Sequence, residues 1–107
     1  MLMPLKESDI QRVILEYLDH HPEVFAVKIT TTGIPNGRGG FRKNNSRGVS
    51  DIIGVYKGKF LAIEVKRPGG QLTEHQKYFL DSIKIYGGIG IVAYSLDDVI
   101  QALKQHE

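Results

Sequence analysis

The chain has 107 residues, 41% of them hydrophobic, which suits one packed domain over 1–107 and is too apolar for a disordered segment. Fourteen Lys and Arg against twelve Asp and Glu leave a net charge of +2, and the lack of cysteine excludes disulfides and thiolate zinc sites. No apolar run approaches the ~18 residues of a membrane span and no signal-peptide pattern opens the sequence, so a soluble, cytoplasmic (intracellular) protein without membrane contact is expected.

Ile10, Val13, Ile14, Tyr17 and Leu18 recur at helical spacing and predict a first helix that ends near His20-His21-Pro22. Glu7 lies one turn before Ile10 and continues its face. It reads both as a first-turn acid complementing the helix dipole, beside a Ser8-x-x-Gln11 capping box, and as a ligand aimed inward; the two are compatible. His20 and His21 suit a helix end rather than a metal site.

Val24 to Thr31 reads as a strand with Phe25, Val27 and Ile29 on one face. Thr32 to Gly48 is dominated by Gly, Asn and Pro and is expected to be irregular. It carries Arg38, Arg42, Lys43 and Arg47 around one aromatic, Phe41, a composition suited to gripping a phosphate backbone. Between Glu23 and Glu64 the sole acid is Asp51. It does not match a P-loop.

Asp51 to Lys66 is a predicted hairpin about Lys57-Gly58. That turn pairs Tyr56 with Lys59 and Val55 with Phe60, so that Asp51 faces Glu64 on the face of Ile53, Phe60 and Lys66. Like charges set opposite each other among apolar side chains repel. A cation between them removes the conflict, and hard oxygen ligands favour Mg²⁺ or Mn²⁺.

Pro68-Gly69-Gly70 stops the strand, and Thr73-x-x-Gln76 opens a second helix that carries Phe79, Leu80 and Ile83 and ends near Gly87. Gly88 to Ala93 fits G-x-G-x-x-A formally. It sits after a helix and reads as a strand, so no nucleotide cofactor is expected. Ser95-Leu-Asp-Asp98 is expected to cap a last helix carrying Val99, Ile100 and Leu103.

Gly48-Val-Ser-Asp51 followed by Glu64-Val-Lys66 resembles the PD-(D/E)XK nuclease motif. The run from Ile63 through Pro68-Gly69-Gly70 to Gln76, with the opening Glu7-Ser-x-Ile-Gln, resembles the VRR-NUC branch of that superfamily across nearly the whole chain. Ser50 stands where the motif often has proline, and Gln11 where relatives often carry an acid. The resemblance implies an α/β, restriction-endonuclease-like core: a mixed sheet flanked by helices in α-β-β-β-α-β-α order. It also implies a divalent-metal-dependent endonuclease acting as a homodimer on branched DNA such as four-way junctions. Asp51, Glu64, the Val65 carbonyl and Glu7 would hold metal, Lys66 would orient or deprotonate the attacking water, and Gln76 would position phosphate or water at the site's edge. A catalytically silent nucleic-acid-binding module and a nuclease acting on RNA are the competing readings.

Overall fold

The computed structural model describes residues 5–30, 34–35, 41–42 and 48–107. Its elements run α1 (Glu7–His20), β1 (Val24–Lys28), β2 (Ile34–Pro35), β3 (Phe41–Arg42), β4 (Ile52–Tyr56), β5 (Lys59–Val65), α2 (Glu74–Ile85), β6 (Ile89–Ala93) and α3 (Leu96–Lys104). The main sheet has the order β1-β4-β5-β6, with β1, β4 and β5 antiparallel and β6 parallel to β5. Without β2 and β3, the order is the expected α-β-β-β-α-β-α. β2 and β3 form a separate antiparallel pair in a stretch read from sequence as irregular. There Ile34 and Phe41, two good strand formers, bracket the Gly- and Asn-rich run.

The β4–β5 register is the one counted from the turn: Tyr56 pairs with Lys59, Val55 with Phe60 and Ile52 with Ile63. Lys57 and Gly58 both have positive φ, 51° and 78°, the geometry of a two-residue hairpin turn that matches the strands' twist. The next pair outward is Asp51 and Glu64.

Helices α1 and α3 pack on one face, where Ile10, Ile14, Leu18, Val99 and Leu103 meet Ile52, Leu61, Ile63, Val65 and Ile91. On the opposite face α2 crosses β5 and β6, with Leu80 buried beneath it. Leu61 through Val65 are therefore buried on both faces, and that is why Glu64 lies in the interior. α2 does not reach across to β1, so Phe25, Val27, Val55 and Phe60 stay exposed on that half of the face.

Two helix starts differ from expectation. α1 begins at Glu7, so Ser8 lies inside the helix; the Lys6 amide donates instead to Asp9 Oδ2 at 3.4 Å. Ser95 precedes α3 without a side-chain cap, and Asp98 Oδ2 reaches back to the Tyr94 amide at 2.8 Å. In both cases an aspartate at the third helical position has replaced the hydroxyl as the group that satisfies an end amide. Among the described residues, no helix is long and apolar enough to cross a membrane.

Candidate active site

The site lies where β4 begins and β5 ends. Gly48 fixes the approach: its φ is +77°, and an added Cβ would run into the His75 carbonyl in the first turn of α2. Only glycine fits both the backbone angle and the space. The entering chain is thus held against α2 three residues before Asp51.

The Lys66 amide donates to the Ala93 carbonyl at 3.0 Å, so Lys66 turns its backbone toward β6. Alternation along β5 then turns the Val65 N–H and C=O toward β4. β4 starts only at Ile52, and the Asp51 side chain fills the vacant position: Oδ2 accepts from the Val65 amide at 2.9 Å. One carboxylate oxygen is committed to holding the strand end. Oδ1 and the Val65 carbonyl remain on the site side.

Glu64 is 3% exposed. Its Oε1 accepts from Gln76 Nε2 at 2.8 Å, while Oε2 is buried with no hydrogen-bond partner. Burial first, then the Asp51 charge and more weakly that of Glu7, push this carboxyl up to about 7, against opposing effects of Lys66 and the Asp51 backbone. A buried carboxylate oxygen lacking a donor is the arrangement that a cation relieves. Asp51 and Glu64 side by side are hard oxygen donors and fit Mg²⁺ or Mn²⁺.

Gln76 has two functions at once. Its Oε1 accepts from the Thr73 amide at 2.9 Å and its own amide donates to Thr73 Oγ1 at 3.1 Å, completing the expected capping box, while Nε2 reaches Glu64. Lys66 is half-buried and, among the described residues, makes no ion pair with either carboxylate.

Glu7 is exposed rather than continuing the buried face, which starts at Ile10. Its charge still reaches Glu64. Among the described residues, no three His, Asp or Glu side chains cluster as a metal site, so Glu7 does not complete one with Asp51 and Glu64. Arg42 lies in β3; Arg38, Lys43 and Arg47 fall outside the described residues. His20 Nδ1 lies 2.8 Å from the Glu16 carbonyl and His21 sits edge-on between Tyr17 and Tyr56, so both belong to the helix end.

Sequence reasoning missed the Asp51 clamp on the Val65 amide, although the register that creates it was countable. It also gave no sign that the Ser50 hydroxyl is fully buried without a partner.

Comparison with known proteins agrees with this architecture. A search of curated proteins finds no match. A solved structure described as a "VRR_NUC domain protein" superposes with a TM-score of 0.64 at 20% identity, covering 97% of this chain and 89% of that one. At that identity the likeness establishes the fold. Residues 6–97 match the VRR-NUC domain itself, and the chain belongs to that family of nuclease-type domains.

Proposed function

We propose that this chain is a divalent-metal-dependent endonuclease of the PD-(D/E)XK type that hydrolyses DNA phosphodiester bonds. The observation that carries the reading is the unpartnered, buried Oε2 of Glu64 beside Asp51. Asp51 Oδ1, Glu64 Oε2 and the Val65 carbonyl would hold Mg²⁺ or Mn²⁺, with Glu7 acting through water from the rim. When bound, such an ion supplies a Lewis acid for the phosphoryl oxygens and makes water more acidic.

The chain's own groups do the rest. Asp51 keeps the end of β5 in place through the Val65 amide. Gln76 fixes the rotamer of Glu64 and leaves Oε2 as the ligand atom. Lys66, unpaired with either acid, orients the attacking water and offsets charge building on the phosphate as one P–O ester bond forms and another breaks. Arg38, Arg42, Lys43 and Arg47 are assigned to phosphate contacts along the substrate. A silent binding module would have no use for a lysine set beside two acids without a direct ion pair to either.

The proposal extends to a homodimer on branched DNA. Phe25, Val55 and Phe60 form one row across three strands and are 69%, 44% and 42% exposed, with Val27 in the next row. Tyr78, Ile85 and Tyr86 of the α2 end are also exposed. Together these side chains present several hundred Å² of apolar surface, approaching the ~800 Å² that each partner gives a standard interface. Along a strand, Val55 and Asp51 are about 13 Å apart at roughly 3.3 Å per residue. A two-fold axis near the Phe25–Val55–Phe60 row and along the strand direction would put the two sites at the same end of the pair, an arrangement suited to a substrate with two symmetric strands.

Purified protein is assayed with Mg²⁺ or Mn²⁺ on four-way junction, flap, linear duplex and RNA substrates, with Lys66→Ala in parallel. Wild type is expected to cut junctions fastest, and Lys66→Ala to lose cutting at least ~100-fold while retaining binding. Equal cutting by both identifies a contaminant and overturns the proposal. Preference for RNA replaces the DNA assignment.

A further inference from the structure

The turn after β5 folds back beside the lysine that precedes it. Gly70 closes the turn by donating its amide to the Arg67 carbonyl at 2.9 Å, and an added Cβ on Gly70 would lie 3.5 and 3.6 Å from Lys66 Cβ and Cδ. The Gly70 backbone therefore runs alongside the aliphatic stem of Lys66, a methyl's width away, and limits how far the stem can lean toward the turn. That side of the turn is held from beyond: the Tyr94 hydroxyl donates to the Gly70 carbonyl at 3.2 Å. Tyr94 is anchored in turn, its backbone amide donating to Asp98 Oδ2 at 2.8 Å, directly after the Ala93 carbonyl that receives the Lys66 amide.

We propose that Tyr94 is a positioning residue for Lys66, acting through the Gly70 carbonyl. A four-carbon stem with free rotation would spread the ammonium over several ångströms, and displacement of about 1 Å from reacting atoms costs up to ~100-fold in rate. The Lys66 backbone is fixed by β6 through Ala93, and its stem by a turn that the next residue of the same strand end, Tyr94, keeps from swinging out. Both constraints come from two adjacent residues, so the lysine's direction is tied to the sheet rather than to the turn's own stiffness. The consequence for cutting rests on the nuclease reading above; the ordering of Lys66 does not.

The test separates the two. Full-length protein is labelled with ¹³C at lysine Cε, and the Lys66 signal is assigned by its absence in Lys66→Arg. In wild type the two Lys66 ε protons are expected at distinct shifts, as for a held side chain; in Tyr94→Phe they merge toward the position of exposed lysines. Gly70→Ala, which fills the gap with a methyl in van der Waals contact with the stem and shifts the turn at the Arg67 carbonyl, 3.0 Å away, should move the same signal. Wild-type signals already merged, or a Lys66 signal untouched by Tyr94→Phe, overturn the proposal. In single-turnover cutting, Tyr94→Phe should lower the rate at saturating substrate about tenfold with substrate affinity unchanged. A matching loss of affinity, with the rate unchanged, overturns it too. Failure of wild type to cut removes the nuclease reading and leaves the NMR result to decide the positioning role.

Discussion

Gln76 donates to Glu64 with the same side chain that caps α2, so the helix end and the site's buried acid share one residue. The two functions separate by substitution. Gln76→Glu keeps an acceptor for the Thr73 amide, and an acid in the first turn suits the helix dipole, but it loses the donor to Glu64 and sets a second charge against it. Gln76→Ala loses both. Melting should fall by about 1 kcal/mol in the alanine variant and less in the glutamate variant at pH 5, while metal-dependent cutting falls at least tenfold in both. Full activity in Gln76→Glu would leave the glutamine as a cap and nothing more.

A second prediction concerns pH without metal. The Glu64 carboxyl is pushed up to about 7 in the fold by burial and by Asp51, against an ordinary value of 4.5. The folded protein therefore favours the protonated form. That contribution to stability is fully present below about 4.5, fades as pH rises and is gone above about 7. At ~1.4 kcal/mol per unit the loss is at most roughly 3.5 kcal/mol, and water reaching the site makes it smaller. Urea unfolding at pH 5, 6 and 7.5 in chelator should show the decline, and Glu64→Gln should remove it. Saturating Mn²⁺ should raise the melting temperature more at pH 7.5 than at pH 5.5, since the ion competes with the proton. A metal-free decline identical in Glu64→Gln would mean that this carboxyl does not carry it.

The hairpin and its acid pair were legible because a two-residue turn at Lys57-Gly58 fixes every pairing outward, and counting does the rest. Gln76 was half legible: Thr73-x-x-Gln76 announces a cap, but a cap's spare donor has no sequence signature. The α1 start misled because Ser8 and Gln11 satisfy the capping-box spacing, while Asp9, one residue on, satisfies it from Lys6. Alternation showed that Phe25 and Val27 share a face. It could not show that this face is bare, because cover depends on where α2 lands, and α2 is set over β5 and β6 by the parallel crossover between them. Glu7 has the spacing of the Ile10 and Ile14 face yet is exposed; periodicity carries no information about where cover over that face ends.

Ser50 gives a prediction of the opposite sign to most core substitutions. Its hydroxyl is fully buried and unpartnered, one residue from Asp51. An unmet buried donor costs about 1–3 kcal/mol, and removing it leaves only a small void. Ser50→Ala should therefore raise the urea midpoint by the equivalent of about 1 kcal/mol and leave cutting within twofold. Destabilisation by that substitution would mean that the hydroxyl has a partner, such as a buried water, and would move Ser50 into the site's hydrogen-bond network.

The bare half of the sheet yields the last prediction. Phe25 and Phe60 flank Val55 in register, so a charge at Val55 lies at the centre of any partner that covers the row. Val55 is 44% exposed and outside the main core cluster, so Val55→Lys should cost the monomer little. In a dimer formed through this face, the two introduced lysines meet near the axis in an apolar setting, where like charges cost several kcal/mol. Light scattering should give a dimer for wild type and a monomer for Val55→Lys, with Lys104→Glu on the far side of α3 as a control that stays dimeric. If the face also aligns the two sites, the monomer should nick one strand of a four-way junction without the paired cut that wild type makes. A wild-type monomer overturns the homodimer and a Val55→Lys dimer places its interface elsewhere; either leaves the metal site's chemistry unaffected.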